Sequence, residues 1–368
     1  MRFTSARYAA VLLVSLAACG GGKGSTHDAS ANLDGGSDMT SAAATACLAQ
    51  ATALCALRNT CSPGFGIEKN YGSSSVCVMR TADNCVASLA ANGTGNTPAL
   101  VDACAAAYPS ETCTDYYDGN PVAACVPKVG TLANGGVCSF SAQCTSTYCS
   151  IPQYQVCGTC ATLPVAGASC QVAADCGRDL ACAIPTLASD DGGLASSGSC
   201  QPFVALNGSC LSGYHPCQSG LICVGDDETT MTNGTCQAQG ANISAACDSS
   251  RKTAANCDAN LGLACIPTAK GSGVGTCQAI TLGATGATCG DIGMAPITGV
   301  ADCSSGGLCK KALGSTSGTC VAAAADGAAC DNDASIGPPC LAPAKCVVPS
   351  GSQGTAGTCT VPNAAACM

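Results

Sequence analysis

The sequence predicts a small disulfide-rich protein: an N-terminal disulfide-braced α-helical segment followed by an elongated array of short β-hairpin cysteine-rich modules. Three observations carry that prediction. Cysteine accounts for 35 of 368 residues, a density found where crosslinks replace a hydrophobic core and rare in reducing compartments. The side chains that fill cores are scarce: Leu, Ile, Val and Phe together number 58, and Trp is absent. Ordering each residue costs roughly 1.5 kcal/mol, whereas a disulfide closing a loop of about 15 residues returns on the order of 3 kcal/mol by restricting the unfolded chain. The third observation is a six-fold repeat in the second half of the chain.

At the N-terminus, Arg2 and Arg7 form a basic region, Ala9 to Leu16 an apolar one, and Leu16-Ala17-Ala18-Cys19 closes it with small residues. That is the layout of a secretory signal, residues 1–18, too short to span a membrane as a mature helix. The run Leu-Ala-Ala-Cys resembles the lipobox of bacterial lipoproteins. The resemblance implies cleavage between Ala18 and Cys19, lipidation of Cys19, and outer-membrane or surface delivery through Gly20. Two or three acyl chains would make a stable anchor where one is marginal. Residues 19–40, dominated by Gly, Ser, Asp and Asn, read as a flexible tether. With Cys19 acylated, thirty-four cysteines remain, an even number able to close as seventeen disulfides.

Residues 41–127 read as a Cys-rich helical domain. Ser41 to Thr60 forms a first Ala-rich helix stopped by Cys61-Ser-Pro-Gly, and Val76 to Ala91 a second ended by Asn92-Gly93. Thr97-Pro98 is an N-cap followed by Pro at the first helical position, opening a third helix that stops at Pro109. Cys47 and Cys55 are eight residues apart, as are Cys77 and Cys85. On a helix each pair lies roughly 12 Å apart and within about 80° of one face. Two such helices can zip antiparallel, which predicts Cys47 to Cys85 and Cys55 to Cys77. Cys61, Cys104, Cys113 and Cys125 close the remainder, with their pairing open.

From Gly130 the composition changes: Gly rises, helical runs vanish and an internal repeat begins. Six times Gly is followed by Thr or Ser and then Cys, at Cys160, Cys200, Cys236, Cys277, Cys320 and Cys359. Glycine also stands shortly before Cys138, Cys170, Cys210, Cys289 and Cys330, with Cys247 the exception. The unit is four cysteines in 32 to 42 residues, and the repeats span about 138–160, 170–200, 210–236, 247–277, 289–320 and 330–359 within 130–368. The Gly is read as supplying the positive φ of a tight turn and the following Thr as favouring a strand. Variable stretches between third and fourth cysteines, such as Ser189-Asp-Asp-Gly-Gly, read as exposed hairpin tips.

The stretch Val156-Cys157-Gly158-Thr159-Cys160 has the spacing of a redox pair. Its Gly-Thr-Cys belongs to the repeat, however, and nothing after Cys160 opens a helix whose N-terminus could lower a thiol pKa. Six modules, the helical cysteines and Cys19 leave Cys157 and Cys367 over, whose pairing with each other the sequence leaves open. With one short Cys-x2-Cys knuckle, and only His27 and His215 as histidines, the sequence predicts no catalytic residues, no metal site and no cofactor.

The spacing Cys138-x5-Cys144-x4-Cys149, with Gln143 and Ser146, followed by Cys157-Gly-Thr-Cys160 and the segment Gly167 to Cys182, resembles the Dickkopf N-terminal cysteine-rich domain. The whole layout is similar to bacterial cysteine-rich lipoproteins that share it. The likeness covers about residues 130–359 and implies a module type. Animal Dickkopf proteins are secreted antagonists of a Wnt co-receptor; the lipobox and residues 41–125 lie outside the likeness, and it carries no such role here. Later modules depart from it, with nine residues between Cys247 and Cys257 and thirteen between Cys289 and Cys303.

The formal charge of −9 and the lack of any Lys/Arg run exclude nucleic acid as a partner. The expectation is a non-enzymatic surface lipoprotein of the cell envelope, held to the membrane by its lipid and binding an extracellular protein or glycan. Two alternatives stand beside it: an extracellular protease inhibitor, and a purely structural envelope spacer.

Overall fold

The computed structural model describes residues 39–172, 175–185, 197–293, 297–333, 337–349, 352 and 354–367. The predicted signal, Cys19, residues 19–38 of the tether and the tip at Ser189 lie outside the described residues. Five helices open the described chain: α1 (Met39–Cys61), α2 (Gly66–Tyr71), α3 (Ser74–Ala90), α4 (Pro98–Ala107) and α5 (Cys113–Asp118). Three coincide with the expected helices. The short α2 and α5 were not expected, because Pro63-Gly64 and Pro109-Ser110 read as stops. Each ends on a left-handed glycine, Gly72 and Gly119.

Side-chain caps fix the starts of α3, α4 and α5. The hydroxyl oxygens of Ser73, Thr97 and Thr112 accept from the backbone N–H of Val76, Leu100 and Asp115. Cys47 is bonded to Cys85 and Cys55 to Cys77, the pairing the matched spacing predicts. Cys61–Cys113 and Cys104–Cys125 complete the segment. The packing between α1, α3 and α4 buries Ala46, Leu57 and Val101 beside these sulfurs. Arg58 ties the helices together through polar contacts: its guanidinium donates to the Tyr71 hydroxyl at 2.8 Å and the Tyr116 hydroxyl at 3.0 Å, and lies over the Tyr71 ring.

Each repeat has three antiparallel strands in which the third lies between the first and the second; the fifth repeat adds two further strands, Thr281–Gly283 and Gly299–Cys303, which pair parallel to each other. The disulfides cross in the same way six times, first cysteine to third and second to fourth, as in Cys170–Cys182 and Cys176–Cys200. The buried cluster of a module is chiefly its own sulfur: Cys138, Cys144, Cys149 and Cys160 in the first, with Leu132 and Ile151 against them.

The glycine before each repeat-end cysteine has a different role from the one expected. Gly158, Gly198, Gly234, Gly275, Gly318 and Gly357 sit in extended strands, not at positive φ. A Cβ on any of them would fall 2.0 to 2.4 Å from the carbonyl oxygen of the residue after the third cysteine, so close approach of two strands excludes a side chain. The positive φ lies three residues before the first cysteine, at Gly135, Gly167, Asn207, Ser244, Gly286 and Gly327. There the backbone N–H donates to the carbonyl of the fourth cysteine, as from Gly135 to Cys160 and from Ser244 to Cys277, both at 2.8 Å.

The modules follow one another as the repeat predicts, and every one of them also hydrogen-bonds to the helical segment, to its helices or to the residues flanking them. In modules two to six the contact is the same turn, between second and third cysteines. Asp179 N–H donates to Asn120, Ser219 N–H to Asp118, and Ser62 donates to the Asn260 carbonyl. Ser305 and Gly306 N–H donate to the carbonyls of Glu68 and Lys69, and Arg80 donates to the carbonyls of Leu341 and Ala342. The first module uses the residues just before its second cysteine: Gln143 donates to the Asn92 carbonyl, and Ala142 accepts from Gly95 N–H. Lys69 pairs with Asp302 at 2.7 Å, and Arg80 pairs with Asp326. Residues Asp38–Met368 cluster as one compact unit.

Candidate functional site

The six repeat-end cysteines, Cys160, Cys200, Cys236, Cys277, Cys320 and Cys359, are each bonded to the second cysteine of their own module. The two cysteines of the redox-like spacing are therefore not bonded to each other. Cys160 joins Cys144, and Cys157 joins Cys367 across 210 residues. Sulfurs of three cysteines approach within 4.8 Å of one another in modules such as Cys170, Cys176 and Cys182. That closeness comes from two adjacent disulfides, and a bonded sulfur is not the thiolate a metal takes.

The Cys157–Cys367 bridge marks a seam where the first module meets the last. Along it the Tyr154 carbonyl accepts from Val348 N–H, and the Gln155 amide donates to the Val348 carbonyl at 3.1 Å. Beside the seam lies an open cleft of about 430 Å³, within the range of roughly 300–1,000 Å³ usual for ligand pockets. Its apolar wall includes Pro152, Val172, Pro339 and Ala344; its polar groups include Tyr154, Gln171, Asp175, Asp331, Asn332 and Lys345.

Several of these polar groups are held in place. One Asp175 carboxylate oxygen accepts from the N–H of Gln171 and Val172, at 2.8 and 3.0 Å. An Asp331 oxygen accepts from Asp333 N–H, and the Asn332 amide donates to the carbonyls of Cys346 and Thr355. Tyr154 adopts φ of 63°, a left-handed conformation costly for a residue with a Cβ, and the residue stays 37% exposed at the cleft. Among the described residues no carboxylate lies in salt-bridge range of the Lys345 ammonium. Desolvation by the residues around it holds that ammonium below the ordinary lysine pKa.

No sequence signal marked this cleft. Its residues come from four modules, the first, second, fifth and sixth, that are neighbours only in the folded chain; a lone Tyr between two Gln, or an Asp-Asn pair after a cysteine, reads as an ordinary polar loop.

No protein-family model matches the chain, and no curated protein or solved structure is detectably similar to it. Among the described residues no helix is long and apolar enough to cross a membrane. The arrangement is that of a disulfide-stabilised repeat scaffold.

Proposed function

We propose that this chain is an exported, non-enzymatic lipoprotein of the bacterial cell envelope, anchored through Cys19 and displaying its modules to bind an extracellular protein or glycan. One observation carries the reading. All thirty-four cysteines from Cys47 onward are paired in seventeen disulfides, which a reducing compartment would not sustain. Cys19, in the Leu-Ala-Ala-Cys run, is the single cysteine outside that set. The likeness of residues 130–359 to Dickkopf-type modules supports a binding module over an enzyme, and the polar tether after Cys19 supports a folded part held off a bilayer.

The test is intact-mass analysis of the mature protein before and after reduction. The expected gain is about 34 Da, one hydrogen of about 1 Da for each thiol released, on a chain beginning at an acylated Cys19. Cys19→Ser is expected to move the protein out of the membrane fraction with its disulfides intact. A mature chain that begins elsewhere, or free thiols in number, would overturn the reading.

A further inference from the structure

We propose that the cleft at the seam of the first and last modules is a carbohydrate site, taking a short neutral oligosaccharide with a sugar ring laid against Tyr154. This rests on the display reading and names the ligand class it serves.

The chemistry of the walls selects the class. Tyr154 offers an apolar face with a hydroxyl at its tip, suited to a ligand with one C–H face and a wet rim. Gln171 brings a planar amide that can both donate and accept, Asn332 its carbonyl oxygen, its N–H groups being given to the Cys346 and Thr355 carbonyls, and Asp175 and Asp331 carboxylate oxygens that can accept from neighbouring hydroxyls. Lys345 adds a donor that no carboxylate occupies. A wholly apolar ligand would desolvate these polar groups without replacing their hydrogen bonds. A phosphate or nucleotide would meet two carboxylates against one ammonium, on a chain of net charge −9. A hydroxyl-rich uncharged molecule satisfies the donors and acceptors and still buries the apolar wall.

The site is also pre-organised, which lowers the ordering cost of binding. Backbone N–H groups hold Asp175 and Asp331, backbone carbonyls hold the Asn332 amide, and the strained turn of Tyr154 is held by Val348 N–H.

The experiment is binding of the full mature protein to immobilised neutral oligosaccharides, among them cello-, xylo-, malto- and N-acetylchito-oligosaccharides, followed by calorimetry on the best binder. Wild type is expected to bind at least one series. Tyr154→Ala and Asp331→Asn are each expected to weaken it about ten-fold or more, while Leu313→Ser, at an exposed hairpin tip outside the cleft, leaves it unchanged. An unreduced disulfide map of each variant shows that the fold is retained. Should no neutral sugar bind, or should binding persist in both cleft variants, the site assignment is overturned. Adhesion of whole cells bearing the protein, measured in parallel, separates the two readings: adhesion without sugar binding leaves display standing and removes only the carbohydrate cleft.

Discussion

At the scale of single residues, the repeat is held by two backbone positions with opposite demands. Gly275 has no room for a Cβ, which would lie 2.0 Å from the Ile266 carbonyl oxygen. Gly275→Ala is therefore expected to lower stability by about 3 kcal/mol, from forced separation of two strands. Ser244, at φ of 68°, occupies the place that four other modules give to glycine. Ser244→Gly is expected to stabilise by about 0.5 kcal/mol, relief of left-handed strain less the added chain entropy; denaturant midpoints under oxidising conditions check both. Asp248 is almost wholly buried and accepts from the hydroxyls of Ser250 and Thr253, at 2.5 and 2.7 Å, and from both backbone N–H groups. These bonds, led by the Ser250 hydroxyl, hold its carboxyl below the usual carboxylate range. A depressed folded-state pKa contributes stability that is complete above the unfolded value of about 4 and is lost as pH falls below it. Asp248→Asn is expected to flatten the acid arm of the stability profile below about pH 4, with the neutral arm shifted down uniformly.

At the scale of elements, the helical segment shows what spacing reveals and what it hides. The eight-residue interval of Cys47 and Cys55, matched by Cys77 and Cys85, was enough to predict two bridges, because a helix converts interval into direction. The pairing of Cys61 with Cys113 and of Cys104 with Cys125 was not predictable, since α5 and the turns around it carry no periodic signal. Arg58 was likewise unremarked in the sequence, one charge in an Ala-rich run. Its position between Tyr71, Thr81 and Tyr116 makes it the polar tie among α1, α2, α3 and α5. Arg58→Ala is expected to cost about 2 kcal/mol, the range for hydrogen bonds to a charged group. Arg58→Lys should recover little of it, because an ammonium lacks the planar fork that reaches several hydroxyls; circular dichroism of the helical signal during denaturation reads the difference.

At the scale of the whole molecule, one bridge differs from the others. Within the modules disulfides span 11 to 24 residues, whereas Cys157–Cys367 spans 210. On the chain-entropy estimate so long a closure contributes at most about 5 kcal/mol, and the crosslinked modules inside it shorten the free chain and lower that figure. The double variant Cys157→Ser with Cys367→Ser is expected to lose about 2 kcal/mol, to keep the other sixteen bridges, and to become sensitive to proteolysis near Asn363. Peptide mapping without reduction, before and after limited proteolysis, checks this; a variant as resistant as wild type would show that the seam does not depend on the bridge.

Cysteine interval, the six Gly-Thr/Ser-Cys endings and the shortage of large apolar side chains determined by themselves that this chain folds by crosslinking, as helices followed by six β modules. Those properties are local, since a four-cysteine unit closes on itself and its strands need only their own neighbours. The contact of one shared turn with residues of the helical segment, the joining of the first module to the tail and the cleft beside that junction were decided by tertiary structure alone. They depend on backbone groups such as Asn260 carbonyl and Ser305 N–H, which every residue carries and which leave no mark in a sequence.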